Sequence, residues 1–110
     1  MTQKRVDANH HEVIGWYEQL YCSVVDLHEV GFGCPDLLVG CAGRSELVEV
    51  KSEHGQLEPS QITFNKTWRG NKVVVVCTHA DVLNHVLNIR ERVSRIGRRN
   101  TGVSDAQPGT

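Results

Sequence analysis

Residues 33–51 read GCPDLLVGCAGRSELVEVK, two apolar segments joined by a short turn. Segments 36–40 and 46–51 are rich in Val and Leu, as strands are, and the connection between them is short enough for a hairpin. A proline at position 35 is tolerated because it stands where the first strand begins. We therefore predict a β-hairpin over this stretch.

Charged side chains interrupt the apolar pattern at the open end of this hairpin. Glu49 and Lys51 project from the same face of the second strand, because side chains alternate along a strand. Antiparallel pairing then brings Asp36, at the start of the first strand, near Glu49. Two adjacent carboxylates repel each other unless one is protonated or a cation lies between them, and Mg²⁺ and Mn²⁺ prefer such oxygen ligands. A Glu-x-Lys pair taken alone is equally typical of a cross-strand ion pair on a solvated face.

The segments around the hairpin predict an α/β fold with a mixed central sheet flanked by helices. The expected order of elements is α-β-β-β-α-β, followed by a C-terminal helix. Apolar spacing predicts helices at residues 9–21, 59–68 and from 78 onward, and β-branched runs predict further strands at 23–27 and 72–77. The four consecutive valines at 73–76 favour a strand buried on both faces, and hence a central one.

Length and composition describe one globular domain. The chain has 110 residues, of which 39% are hydrophobic and 23% charged, enough for a single core and too few for two. We assign residues 1–97 to the domain and expect residues 98–110 to form a disordered basic and polar tail. The apolar runs are too short to cross a bilayer, and the N-terminal residues lack the pattern of a secretory signal. We therefore expect a soluble cytoplasmic protein with four reduced, mostly buried cysteines.

The net charge of −1 conceals an uneven distribution along the chain. Residues 1–64 hold four Lys or Arg and ten Asp or Glu, whereas residues 65–110 hold eight and three. Such a chain is able to bind a cation with its acidic part and a polyanion with its basic part, although uneven surface charge explains the same counts. The candidate contacts to DNA phosphates are Lys66, Arg69, Lys72, Arg90 and Arg95. No base-reading motif is present, which favours recognition of DNA shape over sequence.

Together these motifs resemble the virus-type replication-repair nuclease (VRR-NUC) branch of the PD-(D/E)XK nuclease superfamily, particularly its short stand-alone phage forms. The resemblance extends from Arg5 to His85 and implies a restriction-endonuclease-like fold, with whose α-β-β-β-α-β core the predicted order agrees. It rests on Pro35-Asp36, on Glu49-Val50-Lys51 and on the downstream Leu-x-Pro-x-Gln at residues 57–61. It also includes residues 5–9 (RVDAN), Glu12, residues 33–40, Gly55, Phe64 and Trp68. In one position the chain departs from the family, since Glu58 stands where a hydroxyl residue more often precedes the proline.

The resemblance implies a role for each matching site residue. Asp36 and Glu49 would bind Mg²⁺ or Mn²⁺ together with the backbone carbonyl of Val50, and Lys51 would be the catalytic lysine. Glu12 matches the acidic residue that the superfamily often supplies from its first helix, although a solvent-exposed glutamate fits the same pattern.

Gln61 matches the glutamine of the helix that follows the motif strand. It shares a face with Phe64 and Trp68, so its amide needs a partner. A metal-bound water, Lys51, a DNA phosphate or a backbone carbonyl would each satisfy this requirement.

The implied function is a metal-dependent DNA endonuclease that hydrolyses phosphodiesters without a covalent intermediate. Its expected substrates are branched DNA structures, such as Holliday junctions or flaps, in phage replication and recombination. A homodimer is implied, with no organic cofactor and no membrane partner. Two alternatives remain: a branched-DNA-binding module or subunit that needs a partner to cut, and a hydrolase of small phosphate compounds. No glycine-rich phosphate loop supports the last of these.

Overall fold

The computed structural model describes residues 7–105, with side chains described for residues 7–97. Arg5 and Val6 of the matching segment therefore lie outside the described residues. The elements are α1 (His10–Gln19), β1 (Ser23–Asp26), β2 (Leu37–Cys41), β3 (Arg44–Val50), α2 (Pro59–Thr67), β4 (Val74–Val76) and α3 (His79–Asp105). This order of helices and strands confirms the predicted one.

The four strands form one mixed sheet in the order β1-β2-β3-β4. Strands β1, β2 and β3 are antiparallel neighbours, and β4 pairs with β3 in the parallel direction. The predicted hairpin is present, with Leu37 opposite Val48. Ala42 and Gly43 connect its strands with φ of 52° and 79°, since a tight two-residue turn of type I′ requires positive φ at both positions.

The prediction that the valine-rich strand is central was wrong, because β4 is an edge strand of the described sheet. Val76 is buried, whereas Val75 is 46% exposed. Successive side chains point to opposite faces, and only one face of the sheet is fully covered at this strand. The run of valines reflects preference for extended backbone, and this preference does not require burial on both sides.

The hydrophobic core lies between one face of the sheet and helices α1 and α3. Its members are Val13, Tyr17, Cys22, Leu37, Val39, Cys41, Val48, Val50, Val76, Val82, Val86 and Ile89. The apolar residues of α2 that were expected to join this core do not, since Ile62 and Trp68 are exposed. Helix α2 belongs instead to the opposite face, where Gln61 contacts Glu49.

The loop before Asp36 packs closely against the start of α2. Gly31, Phe32 and Gly33 all have positive φ, between 56° and 77°. A Cβ atom at Gly33 would overlap the backbone carbonyl of Ser60. Glycine at position 33 therefore allows the contact that places α2 over this face of the sheet.

Helix α3 continues to Asp105, through residues 98–105 that the sequence predicted to be a disordered tail. Gly97 does not end it, because one glycine inside a helix costs only about 1 kcal/mol relative to alanine. Residues 106–110 lie outside the described residues. The cysteines are free thiols, as predicted, with Cys22 and Cys41 buried. No helix within residues 7–105 is both long and apolar enough to span a bilayer.

Candidate functional site

Asp36 lies at the open end of the β2–β3 hairpin, as the sequence predicted. It stands one residue before the Leu37–Val48 pair, and so opposite Glu49. Its Oδ2 accepts a hydrogen bond of 2.8 Å from the backbone nitrogen of Val50. The carboxylate is buried and is therefore held against the peptide that joins Glu49 to Val50.

Gln61 connects Glu49 to Lys51. Glu49 is only 1% exposed, and its Oε2 accepts a hydrogen bond of 2.7 Å from Nε2 of Gln61. The other amide atom of Gln61, Oε1, accepts hydrogen bonds from Nζ of Lys51 at 3.1 Å and from the backbone nitrogen of Glu58 at 2.8 Å. Lys51 is one of the four partners that the sequence suggested for the Gln61 amide, and the two side chains are in contact. The Glu58 hydrogen bond also anchors the first turn of α2, although no hydroxyl residue precedes Pro59.

The ammonium group of Lys51 is fixed by several contacts. Besides Gln61, Nζ donates to the backbone carbonyl of Gln56 at 3.2 Å. It lies 4.0 Å from Oε2 of Glu49 and 3.9 Å from Oδ2 of Asp7. The side chain is mostly buried, with 13% exposed. Because the amine is restrained on several sides, it presents a fixed positive charge beside the Glu49 carboxylate.

Two residues near the N-terminus contribute to the site in ways that the sequence did not predict. Asn9 stands at the N-cap position of α1 but makes no side-chain cap hydrogen bond. Its Nδ2 donates to the carbonyls of Lys51 at 3.1 Å and Cys77 at 2.8 Å, and so joins the ends of β3 and β4. Asp7 accepts a hydrogen bond from the backbone nitrogen of Ser52 at 3.2 Å. Both residues belong to RVDAN (residues 5–9), a segment included in the resemblance to the nuclease family. That resemblance was the sequence signal from which their place at the site could have been inferred.

Glu12 occupies a different environment from the other predicted site residues. It lies in the first turn of α1 and is exposed. The acidic side chain that this part of the chain brings within 4 Å of Lys51 is Asp7. Asp36, Glu49, Lys51 and Gln61 are therefore brought together, whereas Glu12 lies on the solvent-exposed side of α1.

The electrostatic balance of this cluster is acidic. Asp7, Asp36 and Glu49 carry three formal negative charges, and Lys51 carries one positive charge. Burying carboxylates is costly unless cations or hydrogen bonds compensate their charge. Carboxylate and carbonyl oxygens are the ligands that Mg²⁺ and Mn²⁺ prefer. The donor set thus fits the metal expected from the sequence, with Asp36, Glu49 and the Val50 carbonyl as ligands.

The predicted phosphate-binding residues fall into two separate groups. Lys66 is exposed on α2, the helix that contacts Glu49 through Gln61, and Arg69 and Lys72 are exposed in the loop after it. In that loop Asn71 contacts Glu46, which faces the opposite side of the sheet. Arg90 and Arg95 belong to α3, which packs on that opposite face with α1. Arg90 donates to the carbonyl of Leu20 at 2.7 Å, and Arg95 pairs with Glu91 at 3.1 Å. Of the five, Lys66 is the one that belongs to a helix in contact with the acidic cluster.

A second buried polar cluster lies on the other face of β3, around Glu46. Its Oε1 is 2.7 Å from Nε2 of His85, and its Oε2 is 2.7 Å from Nη2 of Arg92. The Tyr17 hydroxyl lies 2.7 Å from Nδ1 of the same histidine. Burial opposes the ionisation of Glu46, but hydrogen bonds from His85 and Arg92 outweigh it and lower the pKa of Glu46. The sequence did not lead us to this cluster, although alternation with Val48 and Val50 was a signal that Glu46 lies on the buried face.

A third cluster joins the start of α1 to the end of β1. His28 Nδ1 lies 2.8 Å from Oδ1 of Asp26, and His10 Nε2 lies 3.1 Å from Oδ2. Burial opposes the ionisation of Asp26, but hydrogen bonds from the backbone and ring of His28, together with His10, lower its pKa to about 2. The sequence gives no regular metal-ligand spacing among the histidines, because the fold brings these residues together from distant positions.

Comparison with known proteins finds no relative: no family model, no curated protein and no solved structure matches this chain. Function is therefore inferred from the residues and contacts described above. Asp36, Glu49 and Lys51 are at the centre of that inference.

Proposed function

We propose that this protein is a divalent-metal-dependent DNA endonuclease of the VRR-NUC type within the PD-(D/E)XK superfamily. The proposal rests on one observation above all. Gln61 forms hydrogen bonds with both Glu49 and Lys51, while Asp36 binds the adjacent Val50 peptide. The residues of the Pro-Asp and Glu-x-Lys motifs are thus neighbours in space, and this proximity supports the proposal.

Asp36, Glu49 and the carbonyl of Val50 would hold Mg²⁺ or Mn²⁺. When bound, such an ion supplies Lewis acidity toward the phosphodiester and favours the ionisation of water. Burial strengthens the interaction of the two carboxylates with a cation, because the local dielectric constant is lower than that of water.

Lys51 would stabilise the negative charge that develops on the phosphate during hydrolysis. Its ammonium is preorganised by Gln61 and the Gln56 carbonyl, so little reorganisation is needed in the transition state. Gln61 acts as a positioning residue, because it fixes one oxygen of Glu49 and the ammonium of Lys51 at once. Attack by water forms no covalent bond between protein and DNA.

The proposed substrate is branched DNA, such as a Holliday junction or a flap, of the kind that phage replication and recombination produce. The exposed cations Lys66, Arg69 and Lys72, on α2 and the loop after it, support binding of DNA phosphates. We assign Arg90 and Arg95 a smaller part in DNA binding, because both already have partners within the protein.

A homodimer is part of this proposal. Several large apolar side chains remain exposed on the molecule, including Val25, Phe32 and Trp68. A contiguous apolar surface is typical of protein interfaces, and the proposed dimer would bury side chains from this set. A two-fold dimer would present two active sites to a branched substrate, and sedimentation equilibrium measures the expected doubling of mass.

Cleavage of labelled DNA tests the proposed activity. Duplex, flap and four-way-junction substrates are incubated with Mg²⁺, with Mn²⁺ or with EDTA. We expect metal-dependent cutting that Lys51→Ala and Asp36→Asn each reduce by at least about 10³-fold. Glu53→Gln is the matched control, since Glu53 is an exposed carboxylate in the loop after β3 and should leave the rate unchanged.

Two results would contradict the proposal. Cutting that persists in Lys51→Ala and Asp36→Asn would come from a different site or from a contaminant. Tight binding of the junction with no cutting under any metal would favour the alternative, a DNA-binding module or a subunit that needs a partner.

A further inference from the structure

His10, Asp26 and His28 together form a three-sided cluster of nitrogen and oxygen donors, separate from the acidic site. One donor atom from each residue lies within 4.8 Å of the other two. The carboxylate of Asp26 is central, because each of its oxygens approaches one imidazole, at 2.8 Å and 3.1 Å. Tetrahedral zinc ligands lie about 2.0–2.1 Å from the metal and so about 3.3 Å from one another. The two distances from Asp26 to the imidazole nitrogens are thus comparable with the separation of neighbouring ligands around such an ion.

The state of His10 points to a ligand for this cluster. The residue is only 1% exposed, and neither ring nitrogen has a hydrogen-bond partner within the described part of the chain. Its Nε2 approaches Asp26 without hydrogen-bond geometry, although the distance is 3.1 Å. Burying a polar group without a hydrogen bond costs about 1–3 kcal/mol. Coordination of a metal ion by the Nε2 lone pair would satisfy that nitrogen.

The backbone around the cluster is well supported. His28 donates its backbone N–H to Oδ1 of Asp26 at 3.0 Å, which fixes the turn after β1. Leu27 donates to the carbonyl of Asp36 at 2.7 Å, and this bond ties the same turn to β2. His10 is held by the start of α1, where its N–H donates to the carbonyl of Asp7 at 3.0 Å.

The cluster also has a side open to solvent. His28 and Asp26 are about one-third exposed, whereas His10 closes the inner side. Glu29 extends from the same turn, with Oε2 at 3.8 Å from Nε2 of His28. An ion would therefore reach the cluster from solvent and keep a position for water or for Glu29.

We propose that His10, Asp26 and His28 form a binding site for a divalent transition-metal ion of the zinc class. Imidazole nitrogens select such borderline ions, whereas Mg²⁺ prefers the all-oxygen set around Asp36 and Glu49. The ion clamps the start of α1 to the end of β1. Because Asn9, next to His10, binds the Lys51 carbonyl, the clamp also supports the position of β3.

Zinc binding by the chelator-treated full chain tests this site. Isothermal titration with ZnCl₂ should give one equivalent per chain, and Co²⁺ should give visible absorption bands of a low-symmetry site with nitrogen ligands. His28→Gln should weaken zinc binding by at least about 100-fold. The variant changes a partly exposed side chain, so folding is preserved. His54→Gln, at an exposed loop histidine, should bind zinc as the wild type does.

Further measurements separate this site from the proposed nuclease site. Asp36→Asn should leave zinc affinity unchanged, and zinc should raise the Tm of the wild type but not of His28→Gln. Equal zinc binding by wild type and His28→Gln would overturn the proposal, as would loss of binding in Asp36→Asn. Absence of zinc binding by the wild type would also overturn the proposal, because the cluster would then be a His–Asp ion-pair network without a metal. None of these results depends on DNA cleavage.

Discussion

Strand β3 carries two buried glutamates, three residues apart, and their surroundings differ. Glu46 faces α1 and α3, where His85 and Arg92 each lie 2.7 Å from one of its oxygens. Glu49 faces the other way, opposite Asp36, and the Lys51 ammonium lies 4.0 Å from its Oε2. The first carboxylate belongs to a cluster balanced by cationic and neutral donors. The second belongs to a cluster with an excess of negative charge.

This difference shows that burial alone does not identify a functional carboxylate. Glu46 and Glu49 are 3% and 1% exposed, so exposure does not separate them. Their neighbours separate them, because an arginine and a histidine contact Glu46, whereas Glu49 lies opposite a second carboxylate, that of Asp36. Carboxylates gathered at one place are the ligand set that divalent cations prefer, and the proposed metal site rests on that composition.

The largest expected effect is on catalysis. Glu49→Gln should reduce metal-dependent DNA cleavage by at least about 10³-fold, because the amide carries no charge to bind the cation. Glu46→Gln should leave the cleavage rate within about twofold, since its side chain faces the opposite side of the sheet. Initial rates on the preferred branched substrate measure both. Equal losses in the two variants would remove the distinction between the two glutamates.

The next effect is on stability. Glu46→Ala should lower the free energy of unfolding by about 3 kcal/mol, because it leaves His85 without its carboxylate in a buried position. Urea denaturation measures this change. Glu91→Ala is the control, since the pair of Glu91 with Arg95 is exposed to solvent and its loss should cost about 0.5 kcal/mol or less. A loss no larger than that of the control would mean that the Glu46 cluster contributes nothing to the fold.

Two glycine variants separate backbone strain from packing at the site. Gly31→Ala should cost about 1–2 kcal/mol, because a Cβ is strained at positive φ and meets nothing within 4 Å. Gly33→Ala should cost about 1–3 kcal/mol more, because its Cβ would also overlap the Ser60 carbonyl. It should also slow cleavage, since displacement of α2 moves Gln61 away from Glu49. Equal stabilities of the two variants would show that the contact between this loop and α2 is unimportant.

The smallest effect is a pH dependence of stability that originates at Glu46. Its pKa is lower in the folded protein than in the unfolded chain. Its contribution is therefore complete above the ordinary value of 4.5 and disappears as the pH falls through the folded value. The difference in unfolding free energy between wild type and Glu46→Gln should shrink from pH 7 to pH 3.

The comparison of wild type with Glu46→Gln controls for the other groups whose pKa values are shifted. The pKa values of Asp26 and Asp81 are also lowered, but both proteins contain these residues and the difference cancels their effect. A difference that stays constant with pH would assign the stabilisation to the shape of the side chain rather than to its charge.

Local sequence patterns were sufficient to predict the order of elements and the hairpin. Period-two alternation and the turn between the segments determine the β2–β3 register, and that register places Asp36 opposite Glu49. Thr78 and Asp81 form a reciprocal capping pair at the start of α3, where the sequence predicted a helix to begin, with bonds of 2.9 Å and 3.1 Å.

Contacts between distant segments were not predictable in this way. The edge position of β4 depends on which strands pair, and a run of valines contains no such information. The bonds of Asn9 to the ends of β3 and β4 connect residues 42 and 68 positions apart. The Glu46–His85–Arg92 cluster likewise requires α3 to be packed on the sheet, so local patterns alone assigned no role to His85.

Binding of Mn²⁺ tests the difference between the two glutamates most directly. Electron paramagnetic resonance measures free Mn²⁺ during titration of the wild type, of Glu49→Gln and of Glu46→Gln, each verified as folded by circular dichroism. We predict that wild type and Glu46→Gln bind Mn²⁺ with the same affinity, and that Glu49→Gln loses at least about tenfold in affinity. Failure of the wild type to bind Mn²⁺, or equal binding by all three proteins, would contradict the assignment of Glu49 to a cation site.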